Sequence, residues 1–140
     1  MTRVLVQGRK SSPREGMNEI EEAYATILSA WQAAGIVHAW RFEAVTLRLA
    51  ADLRYTPDFW VVLDDGTVCC DEVKGFWQPQ ARIKIKAAAR LFPWFRFRGV
   101  ESLTRMSKKR RAAVLAKCGV RTVNGDWLYE EFRPWPKRKT

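Results

Sequence analysis

YTPDFWVVLDDGTVCCDEVKGFW, residues 55–77, contains two apolar runs joined by the turn sequence DDG at 64–66. Charged residues stand at the far ends of both runs: Asp58 opens the first, and Glu72 and Lys74 close the second. Charges at the ends of otherwise buried strands cost free energy unless something pairs with them. The stretch therefore predicts a β-hairpin whose open end holds a charged cluster.

The loop length determines how the two strands of this hairpin pair. A three-residue hairpin loop commonly ends with a glycine in the left-handed conformation, and Gly66 has that position. Asp58 then lies directly opposite Glu72, and Lys74 shares the face of Glu72 because side chains alternate in steps of two. A two-residue loop at 65–66 would shift the register by one residue and separate these side chains.

The residue types in the cluster indicate a reaction class. Two carboxylates held close together repel, so one tends to stay protonated unless a cation lies between them. Hard oxygen ligands with open positions suit Mg²⁺, which binds phosphate oxygens. Lys74 adds a positive charge that could orient or deprotonate an attacking water, or neutralise charge developing on the phosphate. Metal-assisted phosphodiester hydrolysis is the chemistry that these groups fit.

Length and composition indicate one folded domain. The chain has 140 residues, of which 47% are hydrophobic, enough for a real core. No apolar run approaches the length of a membrane span, and the N-terminus does not resemble a signal peptide. With Cys69 and Cys70 adjacent, Cys118 alone and a single histidine, we expect neither a disulfide framework nor a structural zinc site. A reducing cytoplasm is the expected location.

The net charge of +10 is distributed unevenly along the chain. Residues 1–73 have 7 basic and 11 acidic side chains, whereas residues 74–117 have 13 basic side chains and one acid. A basic block of this kind is the usual footprint of a polyanion-binding surface. The alternative is a solvated face that only keeps the protein soluble.

Hydrophobic periodicity predicts alternating helices and strands. Arg82, Lys86 and Arg90 form a basic stripe on the second predicted helix because they lie four residues apart. We predict a flexible lead-in (1–16), a single domain (17–130) and a basic tail (131–140). The predicted elements are helices at 17–34, 79–92 and 103–119, strands at 40–50 and 94–100, the two hairpin strands, and an Asn-Gly hairpin near 124. Gly35 is the predicted stop of the first helix.

Pro57-Asp58, followed after the hairpin by Glu72-Val73-Lys74, resembles the signature of the PD-(D/E)XK nuclease superfamily. The segments NEIEEAYA, RFEAVTLRLA, YTPDF, DEVKGFW, ARIKIKAAA and FRF occur in an order similar to that of phage-encoded members. These include relatives of endonuclease I, the phage Holliday-junction resolvase. The resemblance covers about residues 17–100.

The resemblance implies a fold and a set of site residues. The fold is a restriction-endonuclease-like α/β (α+β) fold, in which helices flank a mixed central sheet of four to five strands. Asp58 and Glu72 would bind Mg²⁺ or Mn²⁺, the Val73 carbonyl would be a further ligand, and Lys74 would be the catalytic lysine. The first helix would supply another acid, at Glu21. Sequence geometry supports Glu21 only weakly, and Glu19 remains a rival.

The expected function is that of a metal-dependent DNA endonuclease, with branched DNA such as a Holliday junction as the substrate suggested by family analogy. We expect a homodimer, because one site per protomer cannot cut both strands, and no small-molecule cofactor or membrane partner. A phage-encoded enzyme would work in the host cytoplasm. A non-catalytic nucleic-acid-binding protein and an RNA-directed nuclease remain alternatives. The residues expected to bind nucleic acid are Arg82, Lys84, Lys86, Arg90, Lys108, Lys109, Arg110 and Arg111; Trp77 and Trp94 could stack on bases.

Overall fold

The computed structural model describes residues 16–74, 78–116 and 127–134, together with the backbone of Val4–Val6 and Arg121–Val123. The described chain is an α+β protein. Its elements in chain order are β1 (Val4–Val6), α1 (Glu19–Ala33), β2 (Val37–Phe42), β3 (Val45–Ala50), β4 (Leu53–Tyr55), β5 (Phe59–Leu63), β6 (Val68–Val73), α2 (Pro79–Leu91), β7 (Arg96–Ser102), a 3₁₀ turn (Leu103–Arg105), α3 (Lys108–Leu115), β8 (Arg121–Val123) and β9 (Trp127–Phe132).

The strands of the described residues form two sheets. The larger has the order β2-β5-β6-β7-β9-β8, and the smaller has the order β1-β3-β4. Within the larger sheet β6 and β7 run parallel, whereas the other described pairs run antiparallel. The predicted α+β class and mixed sheet are therefore confirmed, although six strands exceed the four to five that the resemblance implies.

The two long helices cover opposite faces of the larger sheet. On the α1 face, Tyr24 and Leu28 pack with Phe59 and Val61 in a buried core. The other face is covered by α2, which also contacts β3 and β4 of the smaller sheet. Because side chains of β6 alternate between these two cores, neighbouring residues of this strand have entirely different surroundings.

The first helix agrees closely with its prediction. Asn18 caps it: its side chain accepts a hydrogen bond from the Glu21 backbone N–H, and the Glu21 carboxylate accepts one from the Asn18 backbone N–H. This reciprocal capping box satisfies donors that the first turn would otherwise leave free. Gly35 follows the helix with a φ of +79°, as its predicted stop position requires.

The predicted strand at 40–50 is wrong, because this segment forms two strands in different sheets. Phe42 ends β2 in the larger sheet and Val45 begins β3 in the smaller one. Between them, Glu43 has a φ of +47°. This left-handed residue turns the chain out of the first sheet, and the alternating pattern gave no sign of it.

The predicted helix at 103–119 is also wrong in its extent. Leu103 begins a 3₁₀ turn and is almost fully buried, and a separate helix, α3, begins only at Lys108. Ser107 caps α3 by accepting a hydrogen bond from the Arg110 backbone N–H. The predicted single helix is therefore interrupted between the buried Leu103 and Ser107, the residue that caps α3. The predicted end at Gly119 lies outside the described residues.

Several shorter differences concern the ends of the chain and the smaller sheet. The predicted lead-in contains β1, which pairs with β3, and the unpredicted β4 completes that sheet. At the other end β9 continues to Phe132. The remaining lead-in residues, the turn at 124–126, Trp77, Cys118 and residues 135–140 of the predicted tail lie outside the described residues.

Two further observations bear on the expected environment of the protein. Cys69 and Cys70 are free and buried, and burial raises the pKa of the Cys69 thiol to about 11. Among the described residues, no helix has both the length and the apolar character that crossing a membrane requires.

Candidate active site

The hairpin has the register predicted from its three-residue loop. Phe59 pairs with Asp71, and Val62 pairs with Val68. The backbone N–H of Leu63 donates a hydrogen bond of 2.8 Å to the Thr67 carbonyl oxygen. Gly66 has a φ of +86°, the left-handed conformation expected at the loop's last position. The next pair along this register places Asp58 opposite Glu72 at the open end of the hairpin.

Glu72 is held by three groups from different parts of the chain. Its Oε1 lies 2.9 Å from Lys74 Nζ, and its Oε2 accepts hydrogen bonds from the Tyr55 hydroxyl at 2.9 Å and from the Asp58 backbone N–H at 3.3 Å. The residue is only 7% exposed. These contacts fix the orientation of the carboxylate at the end of β6.

Asp58 lies beside Glu72 in a largely buried position. Its Oδ2 accepts a hydrogen bond of 2.9 Å from the Val73 backbone N–H. Burial, and then repulsion from Glu72, raise the pKa of the Asp58 carboxyl to about 8, although the Val73 hydrogen bond and the Lys74 charge act in the opposite direction. The charge of Lys74 offsets only part of the effect that burial and Glu72 have on the pKa of Asp58, so a further cation near the two carboxylates would be favourable.

Lys74 keeps its proton in this setting. Burial by itself lowers the pKa of an ammonium, but the carboxylates of Glu72, Asp58 and Glu21 outweigh that effect, so the pKa of Lys74 is raised. The Lys74 backbone N–H donates to the Val100 carbonyl at 2.9 Å, which continues the parallel pairing of β6 with β7 beyond the last strand residue. Lys74 is therefore positioned by the sheet and not by a free loop.

The structure distinguishes between the two candidate helix carboxylates. Glu21 is 8% exposed, and its charge is one of the causes that raise the pKa values of both Asp58 and Lys74. The side chain of Glu19 is 85% exposed and lies 3.2 Å from Arg105. Glu21 is thus the more buried of the two acids and the one whose charge acts on the cluster, and it also serves in the capping box.

The oxygen donors of the cluster determine which kind of ion it could hold. Within the described ranges, no three His, Cys, Asp or Glu side chains already stand in a metal-binding arrangement. The chemistry of the oxygens nevertheless fits a hard divalent cation, because carboxylates are its preferred ligands and its charge would relieve the repulsion that raises the pKa of Asp58. Asp58 and Glu72 would hold it, with the Val73 carbonyl and Glu21 as further donors.

The cluster opens into a cleft of about 360 Å³ between the smaller sheet and α2. The cleft is lined by Arg54, Tyr55, Thr56, Glu72, Lys74, Gln78, Gln80, Ala81 and Lys84. Of the predicted catalytic residues, Glu72 and Lys74 line it, so a ligand in this cleft would meet these two directly.

The residues predicted to bind nucleic acid do not form one surface. Of the α2 cations, Lys84 lines the cleft, whereas Arg82, Lys86 and Arg90 line a separate groove of about 780 Å³ against β9. The guanidinium of Arg82 is also paired with both carboxylate oxygens of Glu130. The stripe therefore projects from a different side of α2 than the candidate active site.

The basic residues of α3 are similarly divided. Arg110 lies 2.7 Å from the Glu101 carboxylate, and Arg111 donates to the Leu103 carbonyl at 2.8 Å. Lys108 and Lys109 are exposed. Part of the basic block thus serves local structure.

Sequence reasoning missed Tyr55 and a buried polar network. No motif spacing links Tyr55 to Glu72, but the structure brings its hydroxyl within 2.9 Å of that carboxylate. On the opposite face of β6, Asp71 is fully buried and accepts two hydrogen bonds of 2.7 Å from Arg98 and one of 2.5 Å from the Tyr24 hydroxyl. The sequence signal for this network is Asp71 itself, a charged residue inside the apolar run of β6.

Comparison of the chain with protein-family models, with curated proteins and with solved structures finds no significant match.

Proposed function

We propose that this protein is a Mg²⁺- or Mn²⁺-dependent DNA endonuclease with a PD-(D/E)XK-type site on a restriction-endonuclease-like fold. The main support is the meeting of Asp58 and Glu72 at the open end of the β5–β6 hairpin, with Lys74 bound to Glu72. The resemblance to phage-encoded resolvases suggests branched DNA, such as a Holliday junction formed in recombination, as the substrate.

In this proposal Asp58 and Glu72 hold the divalent ion, with the Val73 carbonyl and Glu21 as additional ligands. When bound, the ion would lower the pKa of a coordinated water and neutralise charge on the phosphate. The 2.9 Å hydrogen bonds from Tyr55 to Glu72 and from the Val73 N–H to Asp58 keep the two carboxylates oriented, so that little reorganisation is needed when the substrate binds.

Lys74 supplies the positive charge beside the reacting phosphate. Its ammonium lies 2.9 Å from Glu72 Oε1, and the residue lines the cleft. A fixed cation at that position favours the charge that develops on phosphate oxygens during hydrolysis. The Lys74 side chain is 31% exposed, so it is partly shielded from solvent and still accessible to a ligand.

A second candidate function is nucleic-acid binding without catalysis, on the same fold. The observation in its favour is that the Lys74 ammonium already pairs with the Glu72 carboxylate at 2.9 Å. An RNA-directed nuclease is a variant of the first proposal, because nothing in the cleft distinguishes the two sugars.

The test is cleavage of supercoiled, linear, branched and single-stranded DNA, and of RNA, with Mg²⁺ or Mn²⁺. Asp58→Asn, Glu72→Gln and Lys74→Ala should each abolish cleavage, while the first two variants should bind DNA as well as or better than the native protein, because negative charge is removed. Asp64→Asn, in the turn of the same hairpin, is the matched control and should cut normally. Undiminished cutting by Asp58→Asn protein would refute the nuclease assignment, and binding without cutting by the native protein would favour the second candidate.

A further inference from the structure

We propose that Arg54 and Lys84 form a phosphate-binding pair across the cleft, and that a nucleic-acid strand crosses the site between β4 and α2. The inference rests on the proposed function and assigns that strand's path. Arg54 would contact a phosphate on one side of the reacting one, and Lys84 would contact a phosphate on the other side.

The positions of the two cations support this path. Arg54 lies on β4 at one wall of the cleft, Lys84 lies on α2 at the other, and both line the same cavity as Glu72 and Lys74. A strand entering the cleft would therefore pass between two positive side chains while its central phosphate lies near Lys74. Phosphate contacts of this kind position a strand without selecting its sequence.

Their charges are not compensated within the described part of the chain. Neither Arg54 nor Lys84 has an ion pair with any described residue, whereas Arg82, Arg96, Arg98 and Arg110 each pair with a carboxylate. In the β3–β4 pairing Arg48 lies directly opposite Arg54. Like charges in that position repel, so an anion near Arg54 would relieve an unfavourable interaction.

The geometry of α2 separates Lys84 from the basic stripe. Gln80 and Lys84 lie four residues apart on the same side of the helix, and both line the cleft. Lys86 and Arg90 line the groove against β9 instead. One helix thus presents cations to two different surfaces, and of the cations named here only Lys84 lines the cleft that contains Glu72.

The experiment measures binding and does not depend on catalysis. Fluorescence anisotropy with a labelled single-stranded DNA oligonucleotide would be recorded in EDTA at several KCl concentrations, for Arg54→Gln, Lys84→Gln and the double variant. Each substitution should reduce the slope of log affinity against log salt by about 0.7, the value for one phosphate contact with a single strand. The double variant should show the sum of the two changes. The matched control is Arg41→Gln, which changes an exposed arginine of β2 that lines neither the cleft nor the groove.

Two outcomes would overturn the proposal. The first is an unchanged affinity and slope in the double variant. The second is an equal loss in Arg41→Gln, because the effect would then reflect net charge and not the cleft. If the native protein cleaves DNA but the double variant binds normally, the strand path fails and the nuclease function stands. If the pair is needed for binding but no cleavage occurs with any metal, the path stands and the nuclease function fails.

Discussion

At the scale of single residues, the arginines of β7 show how differently neighbouring basic side chains are used. Arg98 is enclosed in the sheet and makes two 2.7 Å hydrogen bonds to Asp71, while its guanidinium also lies over the Tyr129 ring at 4.7 Å. Arg96, two residues earlier, pairs with Glu131 at the surface. Burial raises the free-energy cost of leaving a charge unpaired, so only the first pair is expected to matter for folding.

We therefore predict that Arg98→Met will destabilise the protein by about 3–5 kcal/mol, because it leaves the buried Asp71 carboxylate without its cationic partner. Arg96→Met, on the same strand, should cost no more than about 1 kcal/mol. Urea unfolding followed by circular dichroism measures both. Equal losses in the two variants would show that the buried pair has no special role.

The raised pKa of Asp58 leads to a prediction about pH. When the pKa of an acid is higher in the folded state than its ordinary value, its ionisation destabilises the folded protein. The contribution of Asp58 to the free energy of unfolding should therefore fall as pH rises from 3.8 to about 8. In EDTA, Asp58→Asn should therefore melt at a higher temperature than the native protein at pH 8, and this difference should shrink towards pH 4. Asp64→Asn should melt like the native protein throughout.

A divalent cation provides a second arm of this thermal experiment. Mg²⁺ should raise the melting temperature of the native protein at pH 8, because binding to the folded state alone is stabilising. It should raise that of Asp58→Asn less. A stability difference between native and Asp58→Asn protein that does not vary with pH would contradict the assignment of the titration to Asp58.

At the scale of elements, α2 is the helix that connects the candidate site with a second basic surface. Ile85 and Ala88 are buried against the sheet, and Lys84 faces the cleft. Lys86 and Arg90 face the groove along β9. Because these directions differ, the cations of one helix cannot all contact the same stretch of a linear substrate.

The stripe is therefore expected to contribute unequally to DNA binding. Arg82 is paired with both carboxylate oxygens of Glu130, so Arg82→Gln should change the salt dependence of duplex binding less than Lys86→Gln or Arg90→Gln. Each of the latter two should reduce the slope by about 0.9 if it contacts a phosphate. Anisotropy with duplex DNA in EDTA measures this. An unchanged slope in the Lys86→Gln, Arg90→Gln double variant would mean that the groove does not bind DNA.

At the scale of the whole molecule, the described residues of one protomer include one cluster of the predicted catalytic carboxylates, and they line two basic surfaces, the cleft and the groove. Cutting both strands of a junction requires two clusters, which a twofold-symmetric dimer would supply. Ile83 and Trp94 are 65% and 74% exposed on α2 and in the turn that follows it. An interface or a stacked base would cover such apolar surface.

We accordingly predict a homodimer that prefers branched DNA. Sedimentation should give twice the protomer mass. In competition at near-physiological salt with the Asp58→Asn variant, a four-way junction should displace labelled junction about tenfold more effectively than linear duplex of matched length, since the difference of affinities defines specificity. A monomer that binds both equally would refute the resolvase hypothesis, although the nuclease proposal would survive.

The local pattern was sufficient to predict the hairpin at the centre of the candidate site. The alternation of apolar residues, the three-residue loop and Gly66 together determine which residues of β5 and β6 oppose each other, so the juxtaposition of Asp58 with Glu72 follows from one short stretch of the chain. The extent of α1 followed in the same way from its apolar periodicity and from Gly35 after its last turn.

Only the tertiary structure decided features that depend on residues far apart in the chain. The greater burial of Glu21 than of Glu19 depends on how α1 lies on the sheet, and the contact of the Tyr55 hydroxyl with Glu72 is a side-chain hydrogen bond that no sequence pattern predicted. The chain leaves the first sheet at Glu43 through a left-handed backbone conformation, which a pattern of apolar residues does not reveal. Local periodicity records which face of an element is apolar, but it holds no information about which distant element covers that face.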